Sequence, residues 1–171
     1  MIKLGSIITY AGNDLDTLSR PFPVLLVFLR HFGCIFCRES LSDIADRKQK
    51  ILDNKINLVF VHMTEPQTAV KYFQEYEFEN FDHIPDPESR MYRRFGLGKG
   101  TLTQLFGLKT WVRGYKLNKS DEYNLSTKSV GDNLQMPGVF LLHKGQVVEK
   151  FIHNSIADKP DYDKLIHYSF E

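Results

Sequence analysis

Two stretches of the chain are apolar without interruption or nearly so: Val24 to Leu29, and Ile56 to Val61 with Asn57 as its single polar member. Runs of this length, rich in branched residues and lacking polar alternation, predict strands covered on both faces. Between them the period changes. Cys37, Leu41, Ile44, Ala45, Ile51 and Leu52 recur at helical spacing and predict one amphipathic helix ending near Asn54. Thr64-Glu65-Pro66-Gln67 has the form of a capping box with proline in the first turn, opening a helix through Val70, Phe73 and Tyr76. A short strand around His83 and Ile84 comes next. The following helix starts at Asp86-Pro87-Glu88, runs through Met91, Tyr92 and Phe95, and stops at Gly96. Strands alternating with helices predict right-handed crossovers and a parallel sheet. The C-terminal third differs: Val139 to His143, Lys144-Gly145 and Gln146 to Phe151 predict a hairpin, and Asp161 to Tyr168 a closing helix. The fold class is therefore α/β, a central mixed β-sheet flanked by helices.

Residues of about 97–134 are less legible and read as an insertion-like segment within a single domain spanning 1–171. A helix is predicted across Leu105 to Tyr115, then a polar loop from Asn118 to Asn133. Lys99, Lys109, Arg113, Lys116 and Lys119 alternate here with Phe106, Trp111 and Tyr115. A partner could dock on such a segment, but a solvated helix with its apolar side turned inward is the simpler expectation. Gly96-Leu97-Gly98-Lys99-Gly100 lacks the spacing of a phosphate-binding loop and follows a helix rather than a strand.

Composition narrows the function classes. The chain has 171 residues, 42% of them hydrophobic, enough for one core without staples. Its 22 Lys and Arg nearly balance 21 Asp and Glu, a formal charge of +1, which implies no nucleic-acid partner and no membrane partner. No apolar run approaches a secretory leader or a membrane span, so a cytoplasmic location is expected.

In that setting the only two cysteines, Cys34 and Cys37, carry the strongest chemical signal. They stand where the first strand gives way to a helix, three residues apart, with Cα atoms expected about 5 to 6 Å from each other, a separation that suits a disulfide. Unpaired N–H groups and the positive end of the helix dipole favour a thiolate on the first sulfur. Cys34 is thus the expected nucleophile and Cys37 the resolving partner of a redox-active disulfide. Arg30, His31 and Arg38 flank the pair, and any of them turned to the sulfur would lower its pKa further; His31 and Arg38 are the candidates for tuning it, while the direction of Arg30, which ends a strand, stays open. Two other readings stay open. His31, Cys34 and Cys37 with one of His62, His83 or His143 could ligate zinc, although a second CxxC is missing. The pair could also be redox-inert cysteines in an interaction module.

Strand, CxxC at a helix start, strand, helix, and then Met136-Pro137 before a hairpin and a last helix resembles the thioredoxin fold. Phe28-Leu29-Arg30-His31-Phe32-Gly33-Cys34-Ile35-Phe36-Cys37-Arg38-Glu39 is similar to the peroxiredoxin-like branch of the alkyl hydroperoxide reductase and thiol-specific antioxidant superfamily, and Tyr92-Arg93-Arg94-Phe95-Gly96-Leu97 after Asp86-Pro87 resembles a stretch common in peroxiredoxins. The resemblance implies a thiol-dependent oxidoreductase with Cys34 and Cys37 as catalytic residues, acting on a peroxide or a disulfide and regenerated by an external thiol reductant of thioredoxin or glutathione type. It implies no cofactor and no bound metal. It also implies a cis bond between Met136 and Pro137, beside the dithiol. Where typical peroxiredoxins carry Thr or Ser three residues before the reactive cysteine, and Arg before the hairpin strand, this chain has His31 and Pro137.

Overall fold

The computed structural model describes residues 2, 4–32, 34–119 and 132–168. Five strands form one mixed sheet in the order β3-β2-β1-β4-β5. β1 (Val24–Phe28) and β2 (Asn57–His62) coincide with the two apolar runs and pair in parallel, with β3 (Asp82–Pro85) parallel on the outside of β2. The hairpin of β4 (Gly138–His143) and β5 (Gln146–Ile152) joins on the other side, β4 lying antiparallel to β1. Its turn places Lys144 and Gly145 at φ of 51° and 75°, the left-handed pair that a tight two-residue hairpin demands.

β1 is buried at every position because each face of the sheet has its own core. Leu25 and Val27 point into one with Phe60, Phe73, Leu41 and Leu165. Leu26 and Phe28 point into the other with Val61, Tyr92, Phe95 and Phe140. A central strand covered on both sides reads as unbroken hydrophobicity, which is why the sequence pattern located it.

Helices cover the faces. α1 (Leu15–Ser19) precedes β1 and is capped by the Asp14 carboxylate; it has no counterpart in the sequence reading. The helix expected from Cys37 to Asn54 is two, α2 (Ile35–Ala45) and α3 (Lys48–Asp53). The break falls at Arg47, which leaves helical geometry at φ −106° and ψ 3° while its guanidinium bonds to the Asp43 carbonyl and across to Asp163. α4 (Pro66–Gln74) starts one residue later than the Thr64 capping box implied, with Glu65 at the N-cap and no side-chain cap, so Pro66 alone marks its entry. α5 (Arg90–Arg94) donates its first two N–H groups, those of Arg90 and Met91, to the Asp86 carboxylate, and the chain leaves it at Gly96, φ 76°. The middle segment holds α6 (Leu102–Phe106) and α7 (Leu108–Lys119), separated by Gly107, and α8 (Tyr162–Ile166) follows the hairpin. Most of the polar loop expected over 118–133 lies outside the described residues. Among the described residues no helix is long and apolar enough to cross a membrane.

Candidate active site

Cys34 is the N-cap residue of α2, extended at φ −84° and ψ 123°, and its carbonyl receives the N–H groups of Cys37 and Arg38. Its own N–H is held by the His31 carbonyl. The first helical turn thus places Cys37 under Cys34, the two residues coming within 4.1 Å of each other with both thiols reduced. A third small cluster of Phe36, Leu105, Met136, Ile156 and Ala157 encloses the pair, leaving Cys34 7% and Cys37 4% exposed. Cys34 is therefore less open to solvent than its place at a helix start implied, because it belongs to this apolar cluster, to which α6 contributes Leu105.

The electrostatics divide the two sulfurs. The Cys34 thiol is pushed down to about 6, chiefly by the S–H of Cys37, then by Arg30 and the N–H groups of Cys37 and Phe36; burial opposes them and loses. Cys37 moves the other way, well above a free thiol, because burial and the neighbouring Cys34 both disfavour its charge. Near neutral pH the pair holds one proton, on Cys37. The Arg30 N–H also donates to the Cys37 sulfur at 3.2 Å.

Arg30 takes the direction that the sequence left open. Rather than pointing away, its side chain is buried, with Nη1 3.0 Å from Cys34 Sγ. Nε donates to the Gln135 carbonyl at 3.0 Å, and Nη2 donates to the Asn133 carbonyl. The strand ends at Phe28, so in-and-out alternation no longer governs position 30. A signal did exist: an arginine adjoining a wholly apolar run is set for burial, and a buried guanidinium demands an anion. The Cys34 thiolate supplies it.

The other expected tuning residues lie elsewhere or act otherwise. Arg38 forms an ion pair with Glu75 at 2.7 Å and sits over the Tyr72 ring, one turn along α2 from Cys34. His31 contributes its backbone carbonyl; its ring is pushed down to about 4 by burial and by Arg30, so it is neutral near pH 7 and adds no positive charge. The Met136–Pro137 bond is trans, against the expected cis form. Met136 donates its N–H to Gly98 and Gln135 gives its carbonyl to Arg30, and this extended segment leaves the flank of Cys34 to the guanidinium. Pro137 nonetheless borders the site. It lines, with Arg30, Cys37, Ser40, His153 and Tyr162, a cavity of about 10 Å³, roughly the space one water fills.

His62 and His83, raised as zinc ligands, bond to each other at 2.9 Å within the aromatic core instead. Among the described residues no three of His, Cys, Asp and Glu gather where a metal ion could be held.

Comparison with known proteins adds three findings. The AhpC/TSA antioxidant enzyme family model matches residues 43–155, a span that begins after the cysteine pair. Among curated proteins, prostamide/prostaglandin F synthase of Salmo salar is 29% identical over 154 residues, covering 89% of this chain and 75% of that one; human peroxiredoxin-like 2C is 25% identical, covering 84% and 67%. Among solved structures, the Mycobacterium tuberculosis peroxidoxin BcpB has a TM-score of 0.58 at 15% identity, covering 97% of this chain and 95% of that one. A yeast mitochondrial 1-Cys peroxiredoxin has a TM-score of 0.60 at 13% identity, covering 97% and 74%. Such structural neighbours share the thioredoxin-like fold of peroxiredoxins.

Proposed function

Because the chain belongs to the AhpC/TSA antioxidant enzyme family, we propose that it is a thiol peroxidase in which Cys34 attacks and Cys37 resolves. The observation that carries this reading is the Arg30 guanidinium 3.0 Å from Cys34 Sγ, with a protonated partner thiol beside it. The arrangement keeps a nucleophilic thiolate near neutral pH and a proton donor close at hand. It also returns to the site the guanidinium that Pro137 fails to supply from the segment before β4.

The Cys34 thiolate attacks the terminal oxygen of a hydroperoxide. The S–O bond forms as the O–O bond breaks, Cys34 becomes a sulfenic acid, and the alkoxide leaves and takes a proton to become an alcohol. Arg30 offsets charge on the departing oxygen. Cys37 then attacks the sulfenic sulfur: the S–S bond forms, the S–O bond breaks, and hydroxide leaves with the Cys37 proton as water. An external dithiol or two glutathione-type thiols reduce the disulfide by exchange. The glutathione and thioredoxin systems named for the yeast neighbour make both classes of reductant worth offering. Relatives named prostamide/prostaglandin F synthase widen the proposed substrates to peroxides on lipid chains.

The test is stopped-flow mixing of the reduced protein with hydrogen peroxide, a fatty-acid hydroperoxide and a protein disulfide. Fast oxidation by a peroxide, lost in Cys34→Ser, is the expected result. Reaction with the disulfide alone would replace the reading with a thioredoxin-like reductase, and reaction with none would favour a redox-inert module.

A further inference from the structure

α7 is amphipathic with its apolar side turned out. Leu108, Trp111, Val112 and Tyr115 recur at the spacing of one helical face, yet all are exposed, Trp111 at 69%, and the Trp111 and Tyr115 rings stack against each other. On α6, joined to α7 through Gly107, Leu102 and Phe106 are exposed as well, at 77% and 69%. The side of α7 that meets the body is made of small and polar residues instead: Thr110 is buried against Ser155, Gly114 lies over Phe36, and Arg113 reaches Glu39 at 2.6 Å. The expected arrangement, with Phe106, Trp111 and Tyr115 turned inward, is thereby overturned.

Six large apolar side chains side by side on a protein surface mark a place where something binds. Charge identifies what. Residues 89–120 contain eight Lys and Arg and no Asp or Glu, so the net charge of +1 conceals a strongly basic stretch within a chain otherwise net negative. Lys109 and Lys116, seven residues apart, run along one margin of the apolar stripe, both exposed. Lys109 and Arg113 also tie α7 to the body through Asp158 and Glu39, so the hairpin of helices is held in place. Exposed Trp, Tyr, Phe and Leu beside lysines, with no acid in the sequence of either helix, is the composition of helices that lie in the interface of a bilayer.

We propose that the α6–α7 face docks on the surface of an anionic phospholipid bilayer. The opposite side of the same two helices, through Leu105 and Leu117, closes over Cys34 and Cys37, so docking would bring the dithiol next to the lipid. The proposal goes beyond the peroxidase reading and does not need it, since binding is measured apart from turnover.

Trp111 is the only tryptophan of the chain, so its emission reports this face directly. The full chain is titrated with vesicles of phosphatidylcholine alone and of phosphatidylcholine with phosphatidylglycerol, at low and high salt. A blue shift on anionic vesicles, weakened by salt and small on neutral ones, is expected. Phe106→Ser and Leu108→Glu retain Trp111 and should each lower partitioning about tenfold, given roughly 0.8 kcal/mol per buried methylene, with circular dichroism and Cys34 alkylation unchanged. Absence of a shift, equal response to both vesicles, or vesicle-free self-association that the two variants abolish would overturn the proposal. Peroxide reduction in the same samples tests the other reading separately.

Discussion

At the level of single residues the site turns on Arg30. A guanidinium buried against a sulfur favours the thiolate, and removing it leaves Cys34 with only the Cys37 thiol and two backbone N–H groups to oppose burial. Arg30→Met should therefore raise the Cys34 value above about 6, read from thiolate absorbance against pH, with Arg30→Lys intermediate because lysine lacks the fork that also holds Gln135 and Asn133. An unchanged titration would show that the neighbouring thiol suffices. The same polarity orders the two cysteines. Iodoacetamide at neutral pH should label Cys34 well before Cys37, and Cys37→Ser should keep one reactive thiol while Cys34→Ser keeps none; the reverse order would exchange the roles proposed for them. His31 illustrates the limit of reading charge from residue type, since burial removes the proton that would have made it a cation.

Among the elements, the junction of α6 and α7 controls access to the dithiol. Leu105 belongs to the cluster that buries Cys34, and Gly107 permits the sharp connection: a Cβ there would stand 2.4 Å from the Thr103 carbonyl oxygen. Backbone cannot yield as a flexible side-chain tip does. Gly107→Ala should cost the helix pair about 1 to 3 kcal/mol, seen as faster amide exchange over residues 102–119 and faster alkylation of Cys34, while the sheet stays protected. Unaltered exchange across α6 and α7 would mean that the junction relaxes freely. Most elements were legible beforehand because their signals are local. The two buried strands, the Lys144-Gly145 turn and the Gly96 stop each follow from a few neighbouring side chains and their backbone preferences. The break between α2 and α3 was not legible, since no glycine or proline marks it and the contact that Arg47 makes there is with Asp163, 116 positions distant.

For the whole molecule, buried histidines couple folding to pH. Burial pushes His62 down to about 3 and His153 to about 4, from 6.5. Both are neutral when folded and take up a proton near 6.5 once unfolded, so the unfolded chain binds more protons as pH falls. Stability is fully present above about 6.5 and is lost on descending toward 4, at up to about 3 kcal/mol per pH unit for the two together. Chemical denaturation at a series of pH values measures this slope. His31, also pushed down to about 4, adds to this slope, so His62→Gln should lower it by roughly a third; its bond to His83 is also lost, so the slope and not the absolute stability is the diagnostic quantity. A pH-independent midpoint between 7 and 5 would mean that these rings are solvated.

Local pattern sufficed for the strand and helix alternation, the mixed sheet and the dithiol at a helix start, since periodicity, turn residues and a three-residue spacing act within a few positions along the chain. It did not suffice for the partner of the thiolate, the trans bond at Pro137 or the outward side of α7. Arg30 and Gln135 are 105 positions apart, and only the packing of β4 beside β1 makes them neighbours. In the same way, helical spacing in α7 distinguishes one side from the other, but which side is covered depends on what the rest of the chain places against it: here Ser155, Glu39 and Phe36 meet the small and polar face and leave the aromatic one to solvent.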